Sequence, residues 1–169
     1  PCNSSPQITN YPVAVICNGQ PFWFNNGILD TVDYDSISYE MTDPLNLSGP
    51  ENWLGGYNKD RPLQFLGFPN NTLPFPAGFH LIPTTGDLGF TSTAIQQPVL
   101  AFKISEWRKI NGVYQLIGVT RRDVQFFTYQ CPPNNPPVLK VNGSTTGPFT
   151  FTACAGTTLC INITATDKD

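Results

Sequence analysis

Residues 98–129 read PVLAFKISEWRKINGVYQLIGVTRRDVQFFTY and decide the fold. Apolar and polar side chains alternate along residues 98–109, as in a strand with one buried face. Asn111 and Gly112 follow, and residues 113–129 form a second β-rich run. Because a type I′ turn needs a positive φ at both central residues, Asn-Gly between two such runs predicts a tight β-hairpin.

Shorter runs of β-branched and aromatic residues predict further strands at residues 13–16, 22–24, 37–41 and 88–91. The 169 residues include 17 prolines and 14 glycines, and only 12% are charged. Proline and glycine are the two weakest helix formers, so helix bundles and coiled coils are excluded. The sequence therefore predicts an all-β sandwich.

Domain organisation is predicted from proline and from self-similarity. Residues 131–137 contain four prolines, which impose extended geometry and indicate a stiff linker. Residues 138–169 repeat features of the N-terminus, since Cys154-Ala155-Gly156 parallels Cys17-Asn18-Gly19. We expect a complete domain over residues 1–130, the linker, and the N-terminal part of a next copy over residues 138–169.

Residues 42–83 form a long irregular insertion rich in Pro, Gly and Asn. An irregular segment of this length is uncommon within a compact domain, so its presence needs an explanation. Two readings remain open: the aromatic side chains pin the segment onto the sandwich, or the segment is a functional binding loop. The aromatic candidates for pinning are Trp53, Tyr57, Phe65, Phe68, Phe75 and Phe79.

Two Asp-x-Asp pairs are the candidate metal ligands. Asp167 and Asp169 end an apolar strand-like run, and Asp33 and Asp35 precede another. Side chains two residues apart in extended chain point the same way, so the paired carboxylates repel unless a cation lies between them. Calcium prefers carboxylate, carbonyl and amide oxygens, which Asn134 and Asn135 of the linker also offer. The alternative is a solvated turn that suits Asp.

Several stretches resemble known families. The strand-like end at 164–169, the run at 33–39, the linker at 134–138 and the strand–turn–strand at 78–88 resemble cadherins. Residues 55–63, the hairpin running to residue 131, and residues 154–169 resemble repeats of large gliding-motility adhesins on the surface of Bacteroidetes.

These resemblances imply an immunoglobulin/cadherin-like Greek-key sandwich and a non-catalytic structural or adhesive repeat of an extracellular, cell-surface adhesin. Its partners would be neighbouring repeats and surface polysaccharide. Calcium would brace the domain junction. On the repeat pattern, Cys2–Cys17 and Cys131–Cys154 are the expected disulfides, with Cys154–Cys160 as the rival pairing.

Carbohydrate binding is the alternative function. The aromatic side chains of Trp53, Tyr57 and Trp23 could stack on sugar rings, with residues 42–83 as the binding face. We expect no enzyme, because His80 lacks a nearby nucleophile motif and phosphate-binding glycine loops are absent. Basic residues form no run or patch, so nucleic acid is not an expected partner, and no apolar run is long enough for membrane insertion.

Overall fold

The computed structural model describes residues 3–132 and 137–168. The described residues contain strands, turns and irregular segments and no helix. The strands are β1 (Gln7–Ile8), β2 (Val13–Cys17), β3 (Pro21–Asn25), β4 (Ile28–Leu29), β5 (Ser36–Thr42), β6 (Leu45–Asn46), β7 (Gly49–Pro50), β8 (His80–Leu81), β9 (Asp87–Thr91), β10 (Val99–Ile110), β11 (Val113–Tyr129), β12 (Val138–Val141) and β13 (Ile163–Thr166).

The chain divides into two compact units, Pro1–Gln130 and Cys131–Asp169. In the second unit β12 and β13 form an antiparallel pair, and the strands contribute no buried side chain. The apolar run that precedes Asp167 forms a strand only over Ile163–Thr166. That this unit begins a further copy of the first stays a prediction.

The long hairpin is confirmed. β10 and β11 pair antiparallel from Ile110↔Val113 to Val99↔Gln125, with one bulge at Glu106/Trp107. Asn111 has φ 51° and Gly112 has φ 85°. Both central residues of the turn therefore have the left-handed backbone that the Asn-Gly dipeptide favours.

Two sheets of the first unit face each other as a sandwich. One sheet has the order β2-β11-β10-β5, in which β2 is parallel to β11 and the other pairs are antiparallel. The other has the order β3-β9-β8. Alternate side chains of both sheets meet in one core: Ala14, Ile16, Met41, Leu88, Phe90, Leu100, Phe102, Val124 and Phe126.

The insertion at residues 42–83 is pinned by its aromatic side chains, as one of the two readings predicted. Phe65 and Phe79 are 1% and 3% exposed and belong to the core of the sandwich. The Phe79 ring lies 5.7 Å from that of Phe90 on β9. Burying two phenylalanines contributes on the order of 3–6 kcal/mol, so the segment folds with the sheets and not as a free loop.

The disulfide differs from the predicted pairings. Cys17 is bonded to Cys131, and Cys154 is a free, exposed thiol, so neither Cys2–Cys17 nor Cys131–Cys154 forms. The rival Cys154–Cys160 bond is also absent, and Cys2 lies outside the described residues.

The parallel pairing of β2 with β11 explains the observed bond. It sets Cys17 opposite Tyr129, two residues before Cys131. The predicted pairings followed the repeat pattern, which does not show that β2 and β11 are neighbours in one sheet.

We expect the double variant Cys17→Ser/Cys131→Ser to lose about 3–5 kcal/mol in the free energy of unfolding, because this bond closes a loop of about 115 residues in the unfolded chain. Urea denaturation followed by tryptophan fluorescence measures the loss. The matched control Cys154→Ser/Cys160→Ser changes two exposed free thiols and should leave the midpoint unchanged. A Cys2–Cys17 peptide in a non-reducing digest would contradict the assignment.

Candidate functional site: an aromatic groove

An open groove of about 590 Å³ lies in the first unit, between the insertion and the start of β10. This volume is within the range of roughly 300–1,000 Å³ that is typical of small-molecule sites. Its lining combines apolar, amide and acidic side chains: Pro44, Leu45, Glu51, Asn52, Trp53, Leu54, Tyr57, Pro62, Gln96, Gln97, Pro98, Val99 and Asp123.

Trp53 is held in the groove wall by a hydrogen bond. Its Nε1 donates to Oδ1 of Asp43 over 2.8 Å. Arg121 on β11 in turn donates from a guanidinium nitrogen to the backbone carbonyl of Asp43 over 2.6 Å. The long strand β11 therefore holds Asp43, whose carboxylate accepts the hydrogen bond of the indole N–H.

Tyr57 is fixed from behind by other aromatic rings. Its ring lies 5.1 Å from that of Phe68, which makes an edge contact with Phe65 at 5.7 Å. Its hydroxyl accepts a hydrogen bond from Nε2 of Gln64 over 3.2 Å. Because Phe65 belongs to the core, Tyr57 is connected to the sandwich through a continuous row of rings.

Gln64 of the insertion is hydrogen-bonded to Gln96, which lines the groove just before β10. The Gln64 backbone N–H donates to Oε1 of Gln96 over 2.9 Å, and Nε2 of Gln96 donates to the Gln64 carbonyl over 2.7 Å. The Gln96 side-chain amide thus makes both hydrogen bonds with the Gln64 backbone that a neighbouring strand would make. The insertion is consequently held to the segment before β10 by two hydrogen bonds within the protein.

Four polar side chains remain free to bind a ligand. Glu51, Asn52, Gln97 and Asp123 are exposed along the groove. Within residues 3–132 and 137–168, their side chains make neither a hydrogen bond nor an ion pair with the protein. The groove thus combines two fixed aromatic faces with unengaged carboxylates and amides, a combination that suits a ligand with both apolar faces and hydroxyl groups.

Of the three side chains predicted to contact sugar, the groove brings together Trp53 and Tyr57. Trp23 lies elsewhere, on β3, where it is 55% exposed and packs edge-on against Phe75 at 6.2 Å. The sequence reasoning missed Gln97 and Asp123 as groove residues. Asp123 lies opposite Ala101 on β10, and Ala101 lies opposite Thr42 at the start of the insertion, so long-range strand pairing brings Asp123 close to the insertion.

Asp33 and Asp35 share a cationic partner within the chain. The Arg108 guanidinium binds Asp35 through two hydrogen bonds of 2.8 and 2.7 Å, and it lies 3.2 Å from an oxygen of Asp33. The hydrogen bonds with Asp35 are the main cause that raises the pKa of Arg108 above its ordinary value. The repulsion between the two carboxylates, from which calcium was predicted, is therefore offset by an arginine.

Of the other four predicted calcium ligands, one lies within the described residues. Asp167 is exposed just beyond β13, whereas Asn134, Asn135 and Asp169 lie outside the described residues. No group of three or more His, Cys, Asp and Glu side chains that could hold a metal occurs in the described part of the chain. Calcium at the junction stays a prediction.

Sequence and structure comparisons give no family for this chain. No protein-family description matches it, and no curated protein matches it. A solved structure from Bacteroides fragilis, described as a "putative alpha-galactosidase", is similar over 73% of this chain and 17% of its own length, with 11% identity and a TM-score of 0.42. A likeness of this extent assigns neither a fold nor an activity.

The Asp30 carboxylate binds the backbone of the segment that carries Asp33 and Asp35, so the stability of the fold should depend on its protonation. Burial acts to raise its pKa, but backbone N–H groups of Asp33 and Asp35 donate to its carboxylate at 3.0 Å, and the net effect lowers the pKa from its ordinary value. A carboxylate with a lowered pKa stabilises the fold above its unfolded-state pKa, and this stabilisation is lost as the pH falls through the folded-state value.

We therefore expect the wild-type free energy of unfolding to fall between about pH 5 and pH 2, and Asp30→Asn to reduce that pH dependence. Urea denaturation at a series of pH values is the measurement. Asp60→Asn serves as the control, because Asp60 pairs with Lys59 on the surface. Identical pH profiles for the wild type and Asp30→Asn would refute the role of Asp30.

Proposed function

We propose that this chain is a non-catalytic adhesive module of an exported protein, which binds carbohydrate through the aromatic groove. The observation that carries the proposal is the pairing of two fixed aromatic side chains, Trp53 and Tyr57, with unengaged polar groups in one open groove. Sugar rings present apolar C–H faces to aromatic rings and hydroxyls to amides and carboxylates, which matches both halves of this lining.

The groove favours binding over catalysis. In glycoside hydrolases the general acid is kept protonated by an apolar pocket. Glu51 and Asp123, the two carboxylates of the groove, are exposed instead. Glu40, a further carboxylate of β5, pairs with Lys103 at 2.5 Å and does not line the groove.

Export is supported by the Cys17–Cys131 bond, because disulfides form and persist in oxidising environments. The described residues contain no helix that could span a membrane. We further propose that the sandwich is of the immunoglobulin/cadherin type and that the module belongs to a repetitive cell-surface adhesin. A part in gliding motility and the presence of neighbouring repeats rest on the sequence resemblance.

Replacement of Trp53 by Ala should reduce binding to soluble neutral polysaccharides about tenfold or more, because the main stacking face is removed. Tyr57→Ala should act in the same direction. Affinity gel electrophoresis against galactomannan, xyloglucan, mixed-linkage β-glucan and starch measures the effect. Circular dichroism and the urea midpoint check that each variant is folded.

Trp23→Ala is the matched control, since it removes an exposed indole that lies outside the groove. It should leave polysaccharide binding unchanged. Binding that is lost with Trp23→Ala and retained with Trp53→Ala would overturn the assignment of the site. A lack of binding to every polysaccharide of the panel would overturn carbohydrate binding itself.

A further inference from the structure

The charges of the groove indicate which class of carbohydrate it accepts. Glu51 and Asp123 are the charged residues of its lining, and neither lysine nor arginine is among the lining residues. Both carboxylates are exposed and form no ion pair within residues 3–132 and 137–168. A ligand in the groove therefore meets two negative charges that the protein does not neutralise.

The cations of β10 and β11 that lie close to Asp123 in the strand pairing are engaged by other groups. Arg121, two residues before Asp123 on β11, donates to the backbone carbonyl of Asp43 behind Trp53. Lys103, the pairing neighbour of Arg121 on β10, forms its ion pair with Glu40 on β5. Neither side chain lines the groove, so neither is placed to bind an acidic group of a ligand there.

We propose that the groove is selective for neutral glycans and rejects glycans that carry carboxylate or sulfate groups. This inference rests on the proposed function and names the ligand class for the same site. Stacking on Trp53 and Tyr57 needs no charge on the ligand. An acidic group on a bound sugar would approach Glu51 or Asp123 within the groove, where like charges repel.

The size of the repulsion depends on the distance between the like charges and on their exposure to solvent. In a solvent-exposed groove, two like-charge contacts at about 4–5 Å together weaken binding by roughly tenfold. Such repulsion is screened by salt, because the Debye length falls from about 30 Å at 0.01 M to about 3 Å at 1 M. A steric rejection would not depend on salt, so salt separates the two causes.

The test uses one neutral polysaccharide that the wild-type chain binds, in three forms. These are the unmodified polymer, a carboxymethylated derivative and a hydroxyethylated derivative with the same degree of substitution. The hydroxyethyl group controls for bulk without charge. We expect the carboxymethylated form to bind at least about tenfold more weakly than the hydroxyethylated form at 0.01 M salt, and this difference to shrink at about 0.5 M salt.

The double variant Glu51→Gln/Asp123→Asn should bring the ratio of the two affinities close to one at low salt. Asp60→Asn is the matched control, because Asp60 is an exposed carboxylate that lines a different depression. It should leave the ratio at its wild-type value.

The outcomes separate this inference from the proposed function. Equal binding of the carboxymethylated and hydroxyethylated forms by the wild type would overturn charge selectivity and leave carbohydrate binding intact. A ratio that the double variant does not change would show that other residues reject the anion, and would also overturn the inference. If no unmodified polysaccharide binds, the proposed function fails and this inference fails with it.

Discussion

The packing of phenylalanine side chains between the two sheets is the interaction on which the rest of the structure depends. Phe126 of β11 meets Phe90 of β9 at 6.0 Å, and Phe90 meets Phe79 of the insertion at 5.7 Å. Phe79 meets Phe65 at 5.8 Å. Each ring is buried, so removal of any one would open a cavity that costs about 3–5 kcal/mol. The same row of rings therefore holds the sandwich together and fixes the insertion upon it.

The groove follows from this constraint. Phe68 extends the row from Phe65 to Tyr57, while β11 holds Asp43 and hence Trp53 through Arg121. The two aromatic faces are thus supported by the core and by the longest strand of the sheet. Glycine and proline prevent long regular strands in the insertion, but its buried phenylalanines fix its position on the sandwich. A groove built in this way is formed before a ligand arrives, and binding does not have to order the segment.

Local patterns made the strands predictable, whereas long-range pairing decided the site. Alternation and Asn-Gly fixed the hairpin of β10 and β11, because strand periodicity and turn geometry are properties of neighbouring residues. The Cys17–Cys131 bond and the proximity of Asp123 to Trp53 depend on which distant strands lie side by side. Likewise, the adjacent carboxylates of Asp33 and Asp35 predicted a metal ion between them. Their actual partner, Arg108, is more than seventy residues away in sequence, so no local pattern indicates it.

Crystal structures of the chain, free and with a bound neutral oligosaccharide, test the central claim of a preformed aromatic groove most directly. The account predicts a sugar ring stacked on Trp53, with the backbone of the groove displaced by less than about 1 Å between the two structures. A sugar bound at Trp23, or a rearranged insertion in which the Tyr57 ring has left Phe68, would contradict it.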